Sequence, residues 1–190
     1  MDNFKKFILD LTNFSEESWE LLKTALKVKE FRKNEVMLKE GEICNSLFYI
    51  DRGFCRSYYI IDGSIKNIAF YFENEIATNI NSFGTGQKSE YNIIACEPLK
   101  SIILDKDLLF KVSAQSSEIE NLGRNCIRLF ATKQEEFSKL FKIFNAQERL
   151  EYIENKYPEI LQRTSLTQLS SFLGVSRETL SRIRNRRVKV

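Results

Sequence analysis

The spacing of the hydrophobic positions changes twice along the chain, and the two changes divide it into three regions. Residues 15–29 repeat apolar side chains at helical spacing behind Ser15, which can cap the helix. Residues 31–104 instead contain short apolar or alternating runs that turn residues separate, among them Asp62-Gly63. This pattern predicts a closed or rolled antiparallel sheet of many short strands, with a hairpin at Asp62-Gly63.

The helical period returns at about residue 113, and residues 116–144 predict one long helix without proline. One stripe follows the three-four alternation of a coiled-coil seam and contains Ile127, Phe130, Gln134, Phe137, Phe141 and Phe144. A second stripe contains Ile119, Leu122, Cys126 and Leu129. Two stripes favour two partners, the sheet of the same chain and a second copy of the helix. The alternative is one broad face on one core. We interpret Asn145, which follows the seam, as a hinge.

Residues 164–185 predict two short helices joined by a tight turn. Thr164 or Ser165 can cap the first helix, Gly174 ends it, and Ser176 can cap the second. Ser170 is small enough to let the second helix approach. Apolar residues stand where the angle between the helices must be filled: Leu169, Leu173, Val175, Leu180 and Ile183. The whole set predicts a helix-turn-helix, and a helical hairpin without DNA binding is the alternative.

The second helix carries side chains that suit DNA. Arginine forms bidentate hydrogen bonds with guanine, and glutamate accepts one from the cytosine amino group. We expect the DNA contacts to come from Ser176, Arg177, Glu178, Thr179, Ser181, Arg182 and Arg186. Phosphates repel a carboxylate that has no base to contact, so Glu178 favours base reading. The alternatives are a carboxylate that stabilises the helix N-terminus and arginines that only attract phosphates.

The amino-acid composition excludes several classes of metal site and enzyme. The chain has 190 residues, a net charge of +3 and no histidine, which excludes His-ligated metal sites, His-based triads and a cupin-type enzyme. We therefore expect no enzyme activity and no metal. Its four cysteines lack a CxxC pair, and no segment has the length of a signal or membrane span, so we expect a cytoplasmic protein. Positive charge concentrates from Arg177 onward, which indicates nucleic acid ahead of a membrane.

The run Ser176-Arg177-Glu178-Thr179, followed by Arg182, resembles the recognition helix of the Crp/Fnr family of transcription regulators. Upstream, Glu40-Gly41-Glu42, then Leu47-Phe48-Tyr49-Ile50 and Gly53, resemble that family's β-roll strands and turns. The resemblance implies an α+β fold in three parts. These are an antiparallel, jelly-roll-like cyclic-nucleotide-binding β-roll (1–112), a long dimerisation helix (113–145) and a C-terminal winged helix-turn-helix (146–190).

The same resemblance implies a homodimer on a two-fold symmetric site in double-stranded DNA, with RNA polymerase as a further partner. Arg177, Glu178 and Arg182 would read bases. The function expected is that of a sequence-specific transcription regulator with a β-roll sensor. The alternative is a ligand-binding regulatory module whose C-terminal helices dock a protein. The tail RNRRVKV is short for a complete wing.

The β-roll departs from the family at its nucleotide pocket. Family members that bind cyclic AMP carry a Gly-Glu pair and then an Arg-Ser pair. This chain has Ile76-Ala77-Thr78-Asn79 and Lys88-Ser89 instead, and lysine lacks the planar fork that grips a phosphate. We expect no cofactor and no binding of cyclic AMP in the usual way. Any effector pocket is expected to use Thr78, Lys88, Ser89, Thr132 and Gln134.

Overall fold

The structure, a computed structural model, describes residues 1–187, and of Arg186 and Arg187 only the backbone. The chain divides into two compact units. The first contains Met1–Tyr58 and Phe70–Leu129, and the second contains Tyr59–Ala69 and the chain from Phe130 onward. The domain boundaries expected from the sequence lie instead after residues 112 and 145.

The elements of the first 113 residues are, in chain order, α1 (Asp2–Leu11), α2 (Glu16–Lys23), β1 (Leu26–Phe31), β2 (Val36–Leu38), β3 (Ser46–Arg52), β4 (Cys55–Ile61), β5 (Ser64–Tyr71), β6 (Ile76–Ala77), α3 (Ile80–Thr85), β7 (Asn92–Ala95), β8 (Leu99–Asp105) and α4 (Lys106–Ser113). In the described residues the strands form two antiparallel sheets, with strand orders β1-β8-β3-β6 and β2-β7-β4-β5. The first unit contains these sheets except for the end of β4 and most of β5. The expected antiparallel sheet core is therefore confirmed.

The core of this unit lies between the sheets and beneath the N-terminal helices. Tyr49, Ile50 and Ile102 are fully buried, and the ring of Phe4 on α1 lies 4.7 Å from that of Tyr49. Because aromatic rings bury a large apolar area, α1 is an integral part of this core.

The predicted helix over residues 15–29 is wrong in its second half. Ser15 caps α2 by accepting a hydrogen bond from the Ser18 amide, but the helix ends at Lys23. Residues 26–31 form β1, which pairs with β8 from Leu26 opposite Leu104 to Phe31 opposite Leu99. The helical spacing of apolar residues continues into this segment by coincidence. Its conformation is decided by pairing with β8.

The hairpin at Asp62-Gly63 is confirmed as the connection between β4 and β5. Asp62 has φ +50° and Gly63 has φ +72°, so both central residues are left-handed, as a type I′ turn requires. The tip of this hairpin belongs to the second unit.

The second unit is otherwise helical. Its helices are the end of α5 (Ser117–Ile143), α6 (Ala146–Lys156), α7 (Pro158–Arg163), α8 (Leu166–Leu173) and α9 (Arg177–Arg187). The single long helix expected over residues 116–144 is confirmed as α5. Asn145, interpreted as a hinge, is the N-cap of α6 and forms a capping box with Glu148. None of the helices in residues 1–187 is long and apolar enough to cross a membrane.

The two stripes predicted on α5 have different outcomes. Ile119 and Leu122 are buried in the core of the first unit, and Cys126 packs against it, whereas Leu129 is exposed. Burial raises the pKa of the Cys126 thiol to about 11. The second stripe is thus a core stripe that ends at Cys126.

The last three positions of the predicted seam have aromatic partners within the chain, and their contact with a second copy stays a prediction. The ring of Phe137 stacks on Tyr157, and the ring of Phe141 lies edge-on to Phe172 at 5.8 Å. Phe144 lies 6.0 Å from the Tyr152 ring. These phenylalanines pack on helices of their own chain, because the chain returns along the end of α5 and supplies aromatic partners that a heptad pattern does not reveal.

Candidate functional site

Helices α8 and α9 are joined by a short turn whose ends are capped by local hydrogen bonds. Ser165 and Gln168 form a capping box at the start of α8. Gly174 ends α8 with φ +70°, which is the left-handed conformation that glycine adopts without strain. Ser176 accepts a hydrogen bond from the Thr179 amide at 3.1 Å and thereby caps α9.

The two helices share an apolar interior. Leu169, Leu173 and Leu180 are buried, while Val175 and Ile183 are half-buried. These are the positions that the sequence predicted to fill the angle between the helices. Their burial leaves the opposite side of α9 in solvent.

The exposed side of α9 carries charged residues near its N-terminus. Arg177, Glu178 and Arg182 are exposed, as is Ser176. Thr179 is half-buried, and its hydroxyl accepts hydrogen bonds from the Ser176 hydroxyl at 3.0 Å and from the Arg182 guanidinium at 3.3 Å. The structure therefore brings these predicted residues together on the first turns of one helix.

Glu178 has local partners at the N-terminus of α9. Its pKa lies below the ordinary value because the carboxylate accepts a hydrogen bond from its own backbone amide and lies close to the Ser176 side chain. The positive charges of Arg177 and Arg182 lower the pKa further. The carboxylate is thus ionised at neutral pH and stabilises the helix terminus, which is the alternative role that the sequence left open. A base-reading role stays a prediction.

Two other residues predicted to contact DNA are not among the exposed side chains at the start of α9. Ser181 lies on α9 but is half-buried. The side chain of Arg186 lies outside the described part of the chain, and so does the segment 188–190, on which a wing would depend.

The tip of the β4–β5 hairpin contacts α8, which the sequence analysis did not foresee. The Ser171 hydroxyl accepts a hydrogen bond from the Asn67 amide at 3.0 Å and donates one to the Ile65 carbonyl at 2.9 Å. The Asn67 side-chain amide donates to the Gln168 carbonyl at 3.1 Å. Because β5 lies at the edge of its sheet, these contacts satisfy edge groups that would otherwise need water. In the sequence, only the two consecutive serines of α8 indicate that this helix could form such hydrogen bonds.

Three of the predicted effector-pocket residues lie in the first unit, and two of these are occupied by internal hydrogen bonds. Thr78 is buried and donates to the Ser46 carbonyl at 3.1 Å. Ser89 is buried, donates to the Tyr91 carbonyl at 2.7 Å and accepts from the Asn79 side chain at 2.9 Å. Lys88 is exposed.

Asn79 links this network to the short helix α3. Its side-chain oxygen accepts a hydrogen bond from the Ser82 amide at 3.1 Å, while its nitrogen donates to Ser89. The Ser82 hydroxyl in turn donates to the Gln87 carbonyl and accepts from the Cys44 amide. The polar groups at the start of α3 therefore bind one another. Ser89 was among the pocket residues expected from the sequence, whereas Asn79 was not.

Thr132 and Gln134, the other two predicted pocket residues, are exposed on the part of α5 that belongs to the second unit. Ile127 is 59 % exposed, although it is a large apolar side chain. Ile127, Ala131 and Gln134 follow each other at intervals of four and three residues, so they share one exposed face of α5. A shared pocket with Thr78, Lys88 and Ser89 stays a prediction.

Comparison with known protein families finds one match, in the β-sheet region. Residues 28–116 match the family described as the cyclic nucleotide-binding domain. This range contains β2 to α4. No curated protein is similar enough in sequence to count as a relative.

Solved structures with the same fold include several bacterial proteins. FixK2 from Bradyrhizobium japonicum has 19 % identity and a TM-score of 0.68, with 85 % of this chain and 83 % of that chain covered. A protein from Eubacterium rectale, assigned to the Crp/Fnr family of transcriptional regulators, has 14 % identity and a TM-score of 0.67, covering 93 % and 85 %. The c-di-GMP responsive global regulator CLP from Xanthomonas campestris has 15 % identity and a TM-score of 0.66, covering 90 % and 91 %.

At these identities the similarity shows a common fold. The chain thus has an antiparallel sheet core with helices, as the Crp/Fnr-type structures do. Residues 28–116 are similar to the cyclic nucleotide-binding domain, and a regulator of the Crp/Fnr family is among the structural neighbours of the chain.

Proposed function

We propose that the chain is a sequence-specific, DNA-binding transcription regulator that acts as a homodimer in the cytoplasm and catalyses no reaction. One observation carries the proposal. Helix α9 buries Leu180 and leaves Arg177, Glu178 and Arg182 exposed on its first turns. In a helix-turn-helix, these N-terminal positions of the second helix meet base edges in the major groove.

The chemistry of these side chains suits a G·C-containing half-site. Arg177 and Arg182 can each form bidentate hydrogen bonds with the O6 and N7 atoms of guanine. Glu178 is ionised and can accept a hydrogen bond from a cytosine amino group. DNA phosphates repel this carboxylate, so it weakens a surface that only binds phosphates, whereas a surface that reads bases can use it.

The homodimer is supported by the exposed face of α5. Ile127, Ala131 and Gln134 lie exposed on one side of a helix of 27 residues. Pairing of this face with a second copy would remove Ile127 from water, and Gln134 would set the register between the helices. Two recognition helices would then meet a two-fold symmetric site about one DNA turn, roughly 34 Å, apart. RNA polymerase is the further partner in this proposal.

The β-roll acts in this proposal as a sensor that does not bind cyclic AMP in the usual way. Ser89 stands where the family's phosphate-binding serine is expected, and its hydroxyl already has a donor in Asn79 and an acceptor in Tyr91. Cyclic AMP would have to break both hydrogen bonds to use this hydroxyl. Titration calorimetry with cyclic AMP should therefore give no heat of binding at millimolar ligand, and a micromolar Kd would contradict this part of the proposal.

Selection from a library of random duplexes tests the main proposal. The affinity of the protein for the selected sequence and for random duplex should then be measured at about 50 and 200 mM salt. We expect a two-fold symmetric consensus that is bound at least a thousandfold more tightly than random duplex, as specific DNA complexes are. Equal binding to every duplex, or no binding, would contradict the proposal and favour a module whose helices dock a protein.

A further inference from the structure

Arg149 on α6 joins the ends of two other helices. Its Nε atom donates to the carbonyl of Phe144 at 2.9 Å, its Nη2 atom to that of Phe141 at 3.0 Å and its Nη1 atom to that of Leu173 at 3.2 Å. The guanidinium carbon also lies 5.2 Å from the centre of the Phe141 ring, which is a cation–π contact. One half-buried side chain therefore contacts both α5 and α8.

The three carbonyls stand at helix C-termini. Helix α5 ends at Ile143 and α8 ends at Leu173. The last carbonyls of a helix have no intrahelical donor and carry partial negative charge, so a buried cation is stabilised there. Because the guanidinium is planar and rigid, hydrogen bonds from three of its nitrogens also fix the positions of the two helix ends relative to each other.

Helix α6, which carries Arg149, is held against α5 at its other end. Glu136 on α5 accepts hydrogen bonds from Tyr157 at 2.9 Å, from Lys156 at 2.5 Å and from Tyr152. Burial raises the pKa of Glu136, but the hydrogen bonds and the charge of Lys156 outweigh it and leave the pKa below its ordinary value. The ionised carboxylate anchors the C-terminal end of α6, so Arg149 projects from a fixed helix.

The turn that Arg149 touches leads directly into α9. Gly174 follows Leu173, and α9 begins at Arg177. A methyl group built on Gly174 would lie 3.8 Å from the Arg149 Nη1 atom, so the guanidinium sits beside this turn. Any shift of the end of α8 changes the direction in which α9 leaves it.

The geometry points to Arg149 as a positioning residue for sequence-specific DNA binding. Its guanidinium ties the end of α8 to the end of α5 and so sets the direction in which α9 presents Arg177 and Glu178 to a base pair. This role rests on the proposed function. It does not require Arg149 to touch DNA, and the residue is not among those that the sequence predicted to do so.

The test compares Arg149→Met, Arg149→Lys and the control Lys142→Met. The control removes one positive charge from an exposed position in the last turn of α5. The measured quantity is the ratio of the affinity for the selected duplex to the affinity for random duplex. We expect this ratio to fall at least tenfold in Arg149→Met and to stay within twofold of wild type in the control. Arg149→Lys keeps the charge but loses the fork, so the ratio should fall in this variant as well.

Three outcomes overturn the inference. An unchanged ratio in Arg149→Met shows that the contact does not position α9. Full rescue by Arg149→Lys shows that charge alone suffices. A wild-type protein without any preferred duplex contradicts the proposed function itself, which distinguishes that failure from the first two.

Hydrogen–deuterium exchange controls for misfolding in the same variants. Arg149→Met should exchange faster than wild type only in peptides that cover the end of α5 and residues 170–185, with the sheet peptides unchanged. Faster exchange throughout the chain means that this variant unfolds, and the affinity ratio of Arg149→Lys then decides the inference.

Discussion

Side chains at the start of α9 differ in what they contact. Ser176 and Thr179 are used within the helix, the first as its cap and the second as an acceptor for Arg182. Arg177 is exposed. It is therefore the residue whose removal disturbs the helix least and tests base reading most directly.

Arg177→Ala should weaken binding to the selected duplex by about 1–3 kcal/mol and relax the preference at one G·C pair. Arg184→Ala is the matched control, since Arg184 is exposed two turns later on the same helix. The control should weaken selected and random duplex alike and lower the salt slope by about one. Equal losses on both duplexes in Arg177→Ala would remove its base-reading role.

Glu118 provides a pH-dependent test at the start of α5. Its carboxylate accepts hydrogen bonds from the Ser15 hydroxyl at 2.6 Å and from the Ser15 amide at 2.8 Å, and these lower its pKa. Because the pKa of Glu118 is lower in the folded state, its carboxylate stabilises the protein at a pH above the pKa of glutamate in the unfolded chain, about 4.3. This stabilisation is lost as the pH falls through the folded pKa.

Glu118→Gln should therefore reduce the midpoint of urea unfolding at pH 7, and the difference from wild type should shrink below about pH 4. Glu120→Gln is the control, because Glu120 stands in the same first turn but pairs with the exposed Arg124. It should have a smaller effect, as exposed ion pairs do. A difference for Glu118→Gln that is the same at every pH would contradict this interpretation.

Among the elements, the β4–β5 hairpin forms a sheet edge and also contacts a helix. Its turn follows from Asp62-Gly63 alone, but its tip also forms hydrogen bonds with α8 through Ser171. The local sequence determines the turn because the left-handed conformation is a property of two residues. The contact with Ser171 is long-range, and no pattern within the hairpin encodes it.

Ser171→Ala should leave the Asn67 amide and the Ile65 carbonyl without this partner. An unsatisfied backbone group costs about 1–3 kcal/mol, although water can replace part of the loss at an edge strand. We expect the Asn67 amide to exchange with deuterium roughly five to thirty times faster, measured by NMR. Ser64→Ala, which removes an exposed hydroxyl on the same strand, should leave this rate unchanged. An unchanged rate in Ser171→Ala would show that the contact does not protect β5.

At the scale of the whole molecule, the exposed face of α5 is the surface that the proposed homodimer would use. The heptad pattern assigned Phe137, Phe141 and Phe144 to a second copy, but their rings contact Tyr157, Phe172 and Tyr152. An aromatic residue on a long helix has the same spacing whichever partner covers it. Ile127, the first residue of the predicted seam, is the most exposed of its apolar residues, so we expect the proposed interface to centre on it.

Ile127→Asp should convert a dimer to a monomer at micromolar concentration in sedimentation velocity, because it places a charge where apolar surface would be buried. Ile143→Asp is the control. Ile143 is 65 % exposed on the same helix but lies on nearly the opposite side of it. Monomer formation by both variants, or by neither, would exclude the Ile127 face as the interface.

The sequence by itself determined the features that depend on near neighbours in the chain. These are the sheet region and its hairpin, the long helix α5, and the capped pair α8 and α9 with Leu180 inside and Arg177 outside. Period, caps and turn residues act over a few residues, so they can be recognised without the fold.

Only the tertiary structure decided which partner each surface received. Residues 26–31 continue a helical pattern but form β1 because they pair with β8. The end of α5 contacts aromatic rings of its own chain. The tertiary structure also brought Arg149 to the ends of α5 and α8. Such contacts join residues far apart in the chain, and their free energy depends on the neighbours that folding supplies rather than on local spacing.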